Sequence, residues 1–155
     1  QADRRTEIKI LSTCYGHETF NWDDTVFYIG SKRLLHNIRF GLDSSGLLAS
    51  SKVILDTVVR FMKKNPSIKI EIAVHTDPQG SYKHNMILSQ ASAQCITDYL
   101  ISQGIDSARI VPKGYGYTHS LPGCSAADIA KMKTKEEKQA AYQKDRRMEV
   151  VIIGR

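Results

Sequence analysis

Apolar and polar residues alternate most regularly near the middle of the chain. β-Branched residues occupy every second position of 68–74, which predicts a strand. Turn-forming residues interrupt the pattern at 76–81, and apolar residues at helical spacing follow from Asn85, a typical N-cap residue. We therefore expect a helix at about 86–103, with Gly104 as its C-terminal cap. Its apolar side would be formed by Leu88, Cys95, Ile96, Tyr99 and Leu100.

Similar patterns predict the other elements. The expected strands lie at 25–29, 34–40, 109–113 and 149–153, and a further helix lies at 49–64. Residues 118–144 form a long insert. Thr134 and Glu137 have the spacing of a capping box, so a short helix is expected to begin at Lys135. Because helices and strands alternate along most of the chain, an α/β fold with one sheet covered by helices is expected.

We expect the chain to consist of an N-terminal extension of 24 residues and one domain at residues 25–155. Residues 3–10 read DRRTEIKI and echo residues 145–152, which read DRRMEVVI. Both segments have an Arg-Arg pair followed by a strand that contains a Glu. The echo is explained either by the end of a preceding similar domain or by chance, since the shared motif is short.

Composition is that of an ordinary globular protein of one domain, with 155 residues, 41% hydrophobic and 25% charged. No apolar run approaches the roughly 20 residues that span a bilayer, and no charged-then-apolar leader opens the chain, so any export signal or lipid anchor is expected to have been removed or to lie outside it. The formal net charge is +6, with Lys and Arg crowded between Lys131 and Arg147. We interpret this crowding as a solvated helix face. No basic groove with interleaved aromatic residues accompanies it, so nucleic acid is not an expected partner.

Three cysteines, at positions 14, 95 and 124, leave at least one thiol unpaired if bridges form within the chain. Their spacing matches no metal motif, and we expect neither a metal nor a cofactor. Cys95 lies on the apolar side of its predicted helix and is expected to be a buried thiol. A disulfide bond between Cys14 and Cys124 is an alternative if the protein is in an oxidising compartment.

Catalytic constellations are weak in this sequence. His75, Asp77 and His84 could be imagined as a metal cluster, and Ser89 and Ser92 as nucleophiles beside a histidine. No Gly-x-Ser-x-Gly elbow, pair of catalytic carboxylates or phosphate loop accompanies them. We therefore expect a protein that is not an enzyme.

The central segment also resembles a known family. Residues 74–81 read VHTDPQGS, and Asn85, Leu88-Ser89 and Ser92-Ala93 follow. The OmpA-like periplasmic domains, including those of Pal and MotB, have the similar pattern G-H-T-D-x-x-G-S-x-x-x-N-x-x-L-S-x-x-R-A. Residues 114–117, GYGY, resemble the family's G-x-G-E turn.

Residues 145–150, DRRMEV, look like the closing N-R-R-V-E strand of the same family. The resemblance runs from about residue 34 to residue 153. It implies a two-layer α/β sandwich, with a β-α-β-α-β core plus a further strand in a mixed sheet covered by helices on one face. Two departures are Val74 for a Gly and Ser92 for an Arg.

The resemblance also implies a ligand site. In the family, the Thr-Asp loop and the Arg of the R-A pair grip the diaminopimelate residue of a peptidoglycan stem peptide. An Asp takes its ammonium, and an Arg fork takes its carboxylate in two parallel bonds. Thr76, Asp77 and Asn85 are thus implied to bind the ligand. Read from the residues alone, Asp77 could simply accept backbone N–H bonds in an Asx turn, and Asn85 could be only a helix cap.

Ser92 removes the second half of this clamp. Loss of a charge-assisted contact costs roughly 1.5–3 kcal/mol, or about a tenfold to hundredfold loss of affinity. Arg146 is the first candidate for the replacement cation, and Arg147 and Lys83 are the next candidates. His75 is expected to pack or to hydrogen-bond at the end of its strand.

The expected function is a non-catalytic periplasmic domain that binds peptidoglycan non-covalently. It would anchor an outer-membrane or envelope complex to the cell wall and would itself be tethered to the outer membrane. The alternative is a degenerate OmpA-like module that contacts other proteins of a secretion, motility or outer-membrane assembly and no longer binds peptidoglycan.

Overall fold

The computed structural model describes residues 22–23, 27–36, 38 and 47–155. The N-terminal echo and Cys14 lie outside the described residues. In chain order the elements are β1 (Lys32–Leu35), α1 (Ala49–Lys64), β2 (Lys69–His75), α2 (Tyr82–Ser102), a 3-10 turn (Ser107–Arg109), β3 (Ile110–Gly116), α3 (Ala126–Lys131), α4 (Lys135–Asp145) and β4 (Arg147–Gly154).

These strands form one mixed sheet with the order β1-β4-β2-β3. Strand β4 is antiparallel to both β1 and β2, whereas β2 and β3 are parallel and are connected through α2. The last strand of the chain therefore lies inside the sheet, beside the strand that precedes the Thr-Asp loop. This arrangement confirms the expected two-layer α/β fold with a mixed sheet.

The main core lies between this sheet and the helices α1 and α2. The alternation of β2 turns Ile70, Ile72 and Val74 toward the helices, and β4 contributes Val150 and Ile152. The helices contribute Leu55, Val58, Met62, Ile96 and Leu100. The other face of the sheet, which α1 and α2 leave uncovered, carries polar residues such as Lys32, Glu71 and Glu149 together with the apolar residues Ala73 and Val151.

The first strand differs from its prediction. Residues 27–29 of the predicted 25–29 strand form coil and the start of a turn, in which Ser31 N–H donates to Tyr28 O at 3.0 Å. Gly30 and Ser31 in this turn already exchange backbone hydrogen bonds with Ile152 of β4, and the regular strand pairing begins at Lys32. In the predicted 34–40 strand, residues 34 and 35 are extended and His36 is in a turn.

Helix α2 begins earlier than predicted. Ser81 is its N-cap, and the Ser81 side chain accepts a hydrogen bond from His84 N–H. The interpretation of Asn85 as the cap is therefore wrong, because Asn85 lies within the first turns of the helix. Gly104 has a φ of +89° just beyond the helix, which is the left-handed conformation predicted for a C-terminal glycine.

The buried side of α2 also differs from its prediction, because the helix packs very closely on β3. A Cβ atom on Gly114 would lie 2.2 Å from Gln90 N and 2.5 Å from Ser89 Oγ. Small side chains at Ser89 and Ala93 therefore face the strand, and Leu88 is turned outward and 48% exposed. Ser89 Oγ also accepts a hydrogen bond from Gly116 N–H at 2.9 Å.

The insert has a small core of its own. Helix α4 begins at Lys135 with the predicted capping box at Thr134. Cys124, Ile129 and Ala141 are buried together, and Leu121, Met132 and Tyr142 pack against them. Cys124 is a free thiol, and Cys95 is half-buried instead of buried. Burial raises the pKa of both thiols.

Candidate functional site

Asp77 lies in the loop that connects β2 to α2, and its side chain is only 8% exposed. Oδ1 accepts a hydrogen bond from Gln79 N–H at 2.9 Å, which is an Asx turn. Oδ2 lies 3.2 Å from Nε of Arg146. Both oxygens are thus engaged, but a carboxylate has about four acceptor positions and retains capacity for another donor.

Arg146 reaches this loop from the junction between α4 and β4. Its side chain is 50% exposed, and Nε makes the contact to Asp77. Its two terminal nitrogens make no hydrogen bond within the part of the chain that the structure describes. The guanidinium can therefore hold Asp77 on one side and present two donors to a ligand on the other.

Asn85 supports the loop from beneath. It is 4% exposed, and Nδ2 donates to the carbonyl oxygens of Gln79 and Ser81 at 2.7 and 3.2 Å. These bonds fix the turn that follows Asp77. Asn85 is consequently placed to shape the Thr-Asp loop, and it does not line the adjacent cavity.

A cavity of about 310 Å³ opens beside this loop. Three predicted site residues line it, namely Thr76, Ser92 and Arg146. Thr76 Oγ1 is buried and has no hydrogen-bond partner among the described residues. Sequence reasoning missed the apolar part of the lining, which is formed by Leu35, Ile38, Val74, Leu88 and Met148. Their apolar periodicity indicated a core, and only the order of the strands places them at a cavity.

Arg147 also lines the cavity, but its guanidinium is committed elsewhere. Nε donates to Glu149 Oε1 at 3.0 Å, Nη1 lies 3.3 Å from Asp145 Oδ1, and Nη2 donates to the carbonyl oxygen of His119 at 2.9 Å. Fully buried Asp145 in turn accepts from Leu121 N–H at 2.8 Å. This network ties the insert to β4 and leaves Arg146 as the better candidate for ligand binding. Lys83 is exposed and does not line the cavity.

His75 ends β2 and packs as expected, with its ring stacked on Tyr115 at a centroid distance of 4.9 Å. Burial, with a further contribution from the positive charge of Arg147, lowers the pKa of His75 to about 4, although the carboxylate of Glu149 opposes this shift. The imidazole is therefore neutral at pH 7. Within the described residues, no group of three or more His, Cys, Asp or Glu side chains is arranged to hold a metal ion.

This fold and loop are those of the OmpA family, whose family model matches residues 39–146. The chain belongs to that family.

Two proteins with similar sequences are an outer membrane protein and a lipoprotein. Outer membrane protein P5 of Haemophilus influenzae is 26% identical over 118 residues, which are 76% of this chain and 33% of that protein. A peptidoglycan-associated lipoprotein of Brucella melitensis is 30% identical over 89 residues, which are 57% of this chain and 53% of the relative. The chain thus spans about a third of the first relative and about half of the second.

A solved structure supports the fold. The putative MotB-like protein of Desulfovibrio vulgaris has a TM-score of 0.59 at 19% identity, and the match covers 80% of this chain and 74% of that one. In the described part of the chain, none of the helices combines the length and the apolar content that crossing a bilayer requires.

Proposed function

We propose that this chain is a non-catalytic periplasmic domain that binds peptidoglycan non-covalently and anchors an outer-membrane or envelope complex to the cell wall. The observation that carries the proposal is the pairing of Asp77 with Arg146, which lines a cavity together with Thr76 and Ser92, whereas Asp77 itself lies beside that cavity and does not line it. The Brucella relative is a peptidoglycan-associated lipoprotein, which supports the same function. The domain would be held near the wall by a tether to the outer membrane.

The free end of diaminopimelate suits this arrangement. It carries an ammonium and a carboxylate on one carbon, and a paired acid and base can each contact the opposite charge of such a ligand while they stay in contact with each other. The ammonium would donate to the Asp77 carboxylate, and the terminal nitrogens of Arg146 would donate in parallel to the ligand carboxylate. Thr76 Oγ1 would supply a further hydrogen bond to the bound ligand.

The affinity would be reduced relative to a site with two cations. Ser92 is half-buried at the cavity and carries no charge, so Arg146 must serve both Asp77 and the ligand. An exposed guanidinium also gives up more side-chain freedom and hydration when it binds than a preorganised one does. We therefore propose binding that is about tenfold to hundredfold weaker than with an arginine at position 92.

A second candidate function is a protein-interaction module of an envelope assembly. The observation that favours it is a group of exposed apolar side chains on the first turns of α2. Tyr82, Ile87 and Leu88 are 55%, 61% and 48% exposed, and Leu88 also lines the cavity. A partner protein could cover these side chains. This function does not require a free carboxylate, so it is compatible with an Asp77 that is engaged within its own chain.

Sedimentation with purified peptidoglycan sacculi separates the two functions. If the domain is an anchor, it should sediment with the sacculi, and a free stem peptide with a diaminopimelate end should release it. A stem peptide with lysine at that position lacks the second carboxylate and should release it less well. A domain that stays in the supernatant at low ionic strength would favour the interaction module.

A further inference from the structure

A second cavity, of about 420 Å³, lies on the face of the sheet that α1 and α2 leave uncovered. Strands β1, β2, β3 and β4 form its floor, and the insert forms one wall. The floor includes Lys32, Glu71, Ala73, His75, Tyr115, Arg147, Glu149 and Val151, and the wall includes 119–122. Thr76, Ser92 and Arg146 line the cavity beside the Thr-Asp loop and do not line this one, and of the described residues the two cavities share only His75 and Arg147.

The charges around this cavity compensate one another. Glu149 accepts from Arg147 through Oε1, and its Oε2 lies 3.3 Å from Lys32 Nζ. Glu71 Oε1 accepts from the Tyr115 hydroxyl at 2.7 Å. A charged ligand would therefore compete with existing pairs, and a neutral polar ligand would leave them intact.

His75 is the group on the floor that lacks partners. Its side chain is 5% exposed, and neither Nδ1 nor Nε2 has a hydrogen-bond partner among the described residues. Nε2 lies 3.8 Å from Glu149 Oε2, which is too far for a hydrogen bond, and that oxygen has an ion pair with Lys32 but no hydrogen bond among the described residues. Buried polar atoms are nearly always paired in native proteins, so these atoms require a hydrogen-bonding group in the cavity, which is either an ordered water or a ligand that replaces it.

The chemistry of these atoms selects the ligand. A neutral imidazole offers one donor and one acceptor, and Glu149 Oε2 offers an acceptor. A hydroxyl can accept from the imidazole and donate to the carboxylate, which neither a carboxylate nor an ammonium can do. We infer that this cavity binds a neutral polyhydroxylated ligand, a saccharide, whose hydroxyl groups pair with His75 and Glu149.

His119 is the side chain that would move to admit such a ligand. It is exposed, and its ring stands edge-on to the rings of Tyr115 and His75, at centroid distances of 4.9 and 6.3 Å. Its side chain contacts Thr118 Oγ1 at 2.9 Å, whereas its backbone is held by Arg147. The ring can therefore rotate away while the wall of the cavity stays in place.

The test is a titration of isotope-labelled wild-type protein, followed through the imidazole ¹⁵N resonances of His75. The probes are N-acetylglucosamine as a free sugar, diacetylchitobiose as a short glycan, and glycine as a zwitterion. Saturable shifts with either sugar support the inference. Tighter binding of the disaccharide assigns the source to a glycan chain, and equal binding assigns it to free sugars. Shifts with glycine alone, or none with any probe, overturn the inference.

Two variants make the test specific. His75→Phe keeps a flat ring against Tyr115 but removes both nitrogens, and it should weaken sugar binding at least tenfold. His84→Phe makes the same exchange at an exposed position on α2 and should leave sugar binding unchanged. Asp77→Asn should also leave it unchanged, which distinguishes this site from the peptidoglycan site. Unaltered affinity in a folded His75→Phe protein would overturn the inference, and the wild-type titration decides the matter if that variant does not fold.

Discussion

Nε of Arg146 lies 3.2 Å from Oδ2 of Asp77, and this contact joins the loop after β2 to the start of β4. The two residues are far apart in sequence and meet because β4 lies directly beside β2 in the sheet. An acid and a base that are already paired form a site of low net charge, at which a zwitterion can place each of its charges beside the opposite charge of the pair.

Removal of the Arg146 charge should weaken peptidoglycan binding. Arg146→Gln loses the donors proposed for the ligand carboxylate, and we expect about a tenfold to hundredfold rise in Kd in a sedimentation assay with sacculi. Arg60→Gln is the matched control, since Arg60 is an exposed arginine on α1 that contacts Thr57. Equal losses in the two variants would indicate that net charge, and not the site, determines binding.

An arginine at position 92 should strengthen binding. Ser92 lines the same cavity as Arg146, so the guanidinium of Ser92→Arg would place a second cation beside the ligand carboxylate. We expect about tenfold tighter binding of a diaminopimelate stem peptide, measured by calorimetry, from one added charge-assisted contact. Weaker binding would show that the new side chain fills the cavity instead of completing it.

His75 should make folding stability depend on pH. Its pKa is about 4 in the folded protein and 6.5 in the unfolded chain, so the unfolded state binds more protons between these values. Stability should be constant above pH 6.5 with respect to this group and should fall by about 3 kcal/mol as the pH drops toward 4.

Urea unfolding at a series of pH values measures this effect. Subtracting the profile of His75→Phe from that of the wild type isolates the histidine, because the other titrating groups are common to both proteins. A difference profile that stays level between pH 6.5 and 4.5 would rule out the buried neutral imidazole.

The contact between α2 and β3 should not tolerate a methyl group. In Gly114→Ala the new Cβ would lie 2.2 Å from the backbone nitrogen of Gln90, and no side-chain rotation can relieve that overlap. We expect a loss of about 3 kcal/mol or more in the free energy of unfolding. Gly154→Ala is the control, since its Cβ would meet only side-chain carbons of Lys69 at 3.6 Å or more and should change stability by less than about 1 kcal/mol. Similar losses in both variants would contradict the close packing.

The sequence pattern correctly predicted the helix ends that are determined by neighbouring residues in the chain. Helix α1 has the predicted bounds of 49–64, and α4 begins at Lys135 because the capping box of Thr134 is a local signal. The local sequence does not determine the start of α2, because Ser81 and Asn85 are both good N-cap residues. The structure uses Ser81. Apolar spacing predicts Leu88 on the buried side of α2, but the structure turns it outward. The close contact of α2 with the distant Gly114 requires small side chains, Ser89 and Ala93, on the buried side.

The candidate site was only partly predictable for the same reason. Thr76 and Asp77 could be identified from their loop, but the contact of Asp77 with Arg146 depends on the order of strands in the sheet. The second cavity depends on it even more, because Lys32, His75 and Glu149 come from three different strands. Sequence spacing carries no signal for such a meeting.

The most direct measurement is the calorimetric titration of a diaminopimelate-containing stem peptide into the wild-type domain and into Asp77→Asn. The amide keeps the size of the side chain and an oxygen that can accept from Gln79 N–H, but it removes the charge proposed to hold the ammonium. We predict measurable binding to the wild type and at least about tenfold weaker binding to the variant. Equal affinity of the two folded proteins for the peptide would contradict the proposed anchor.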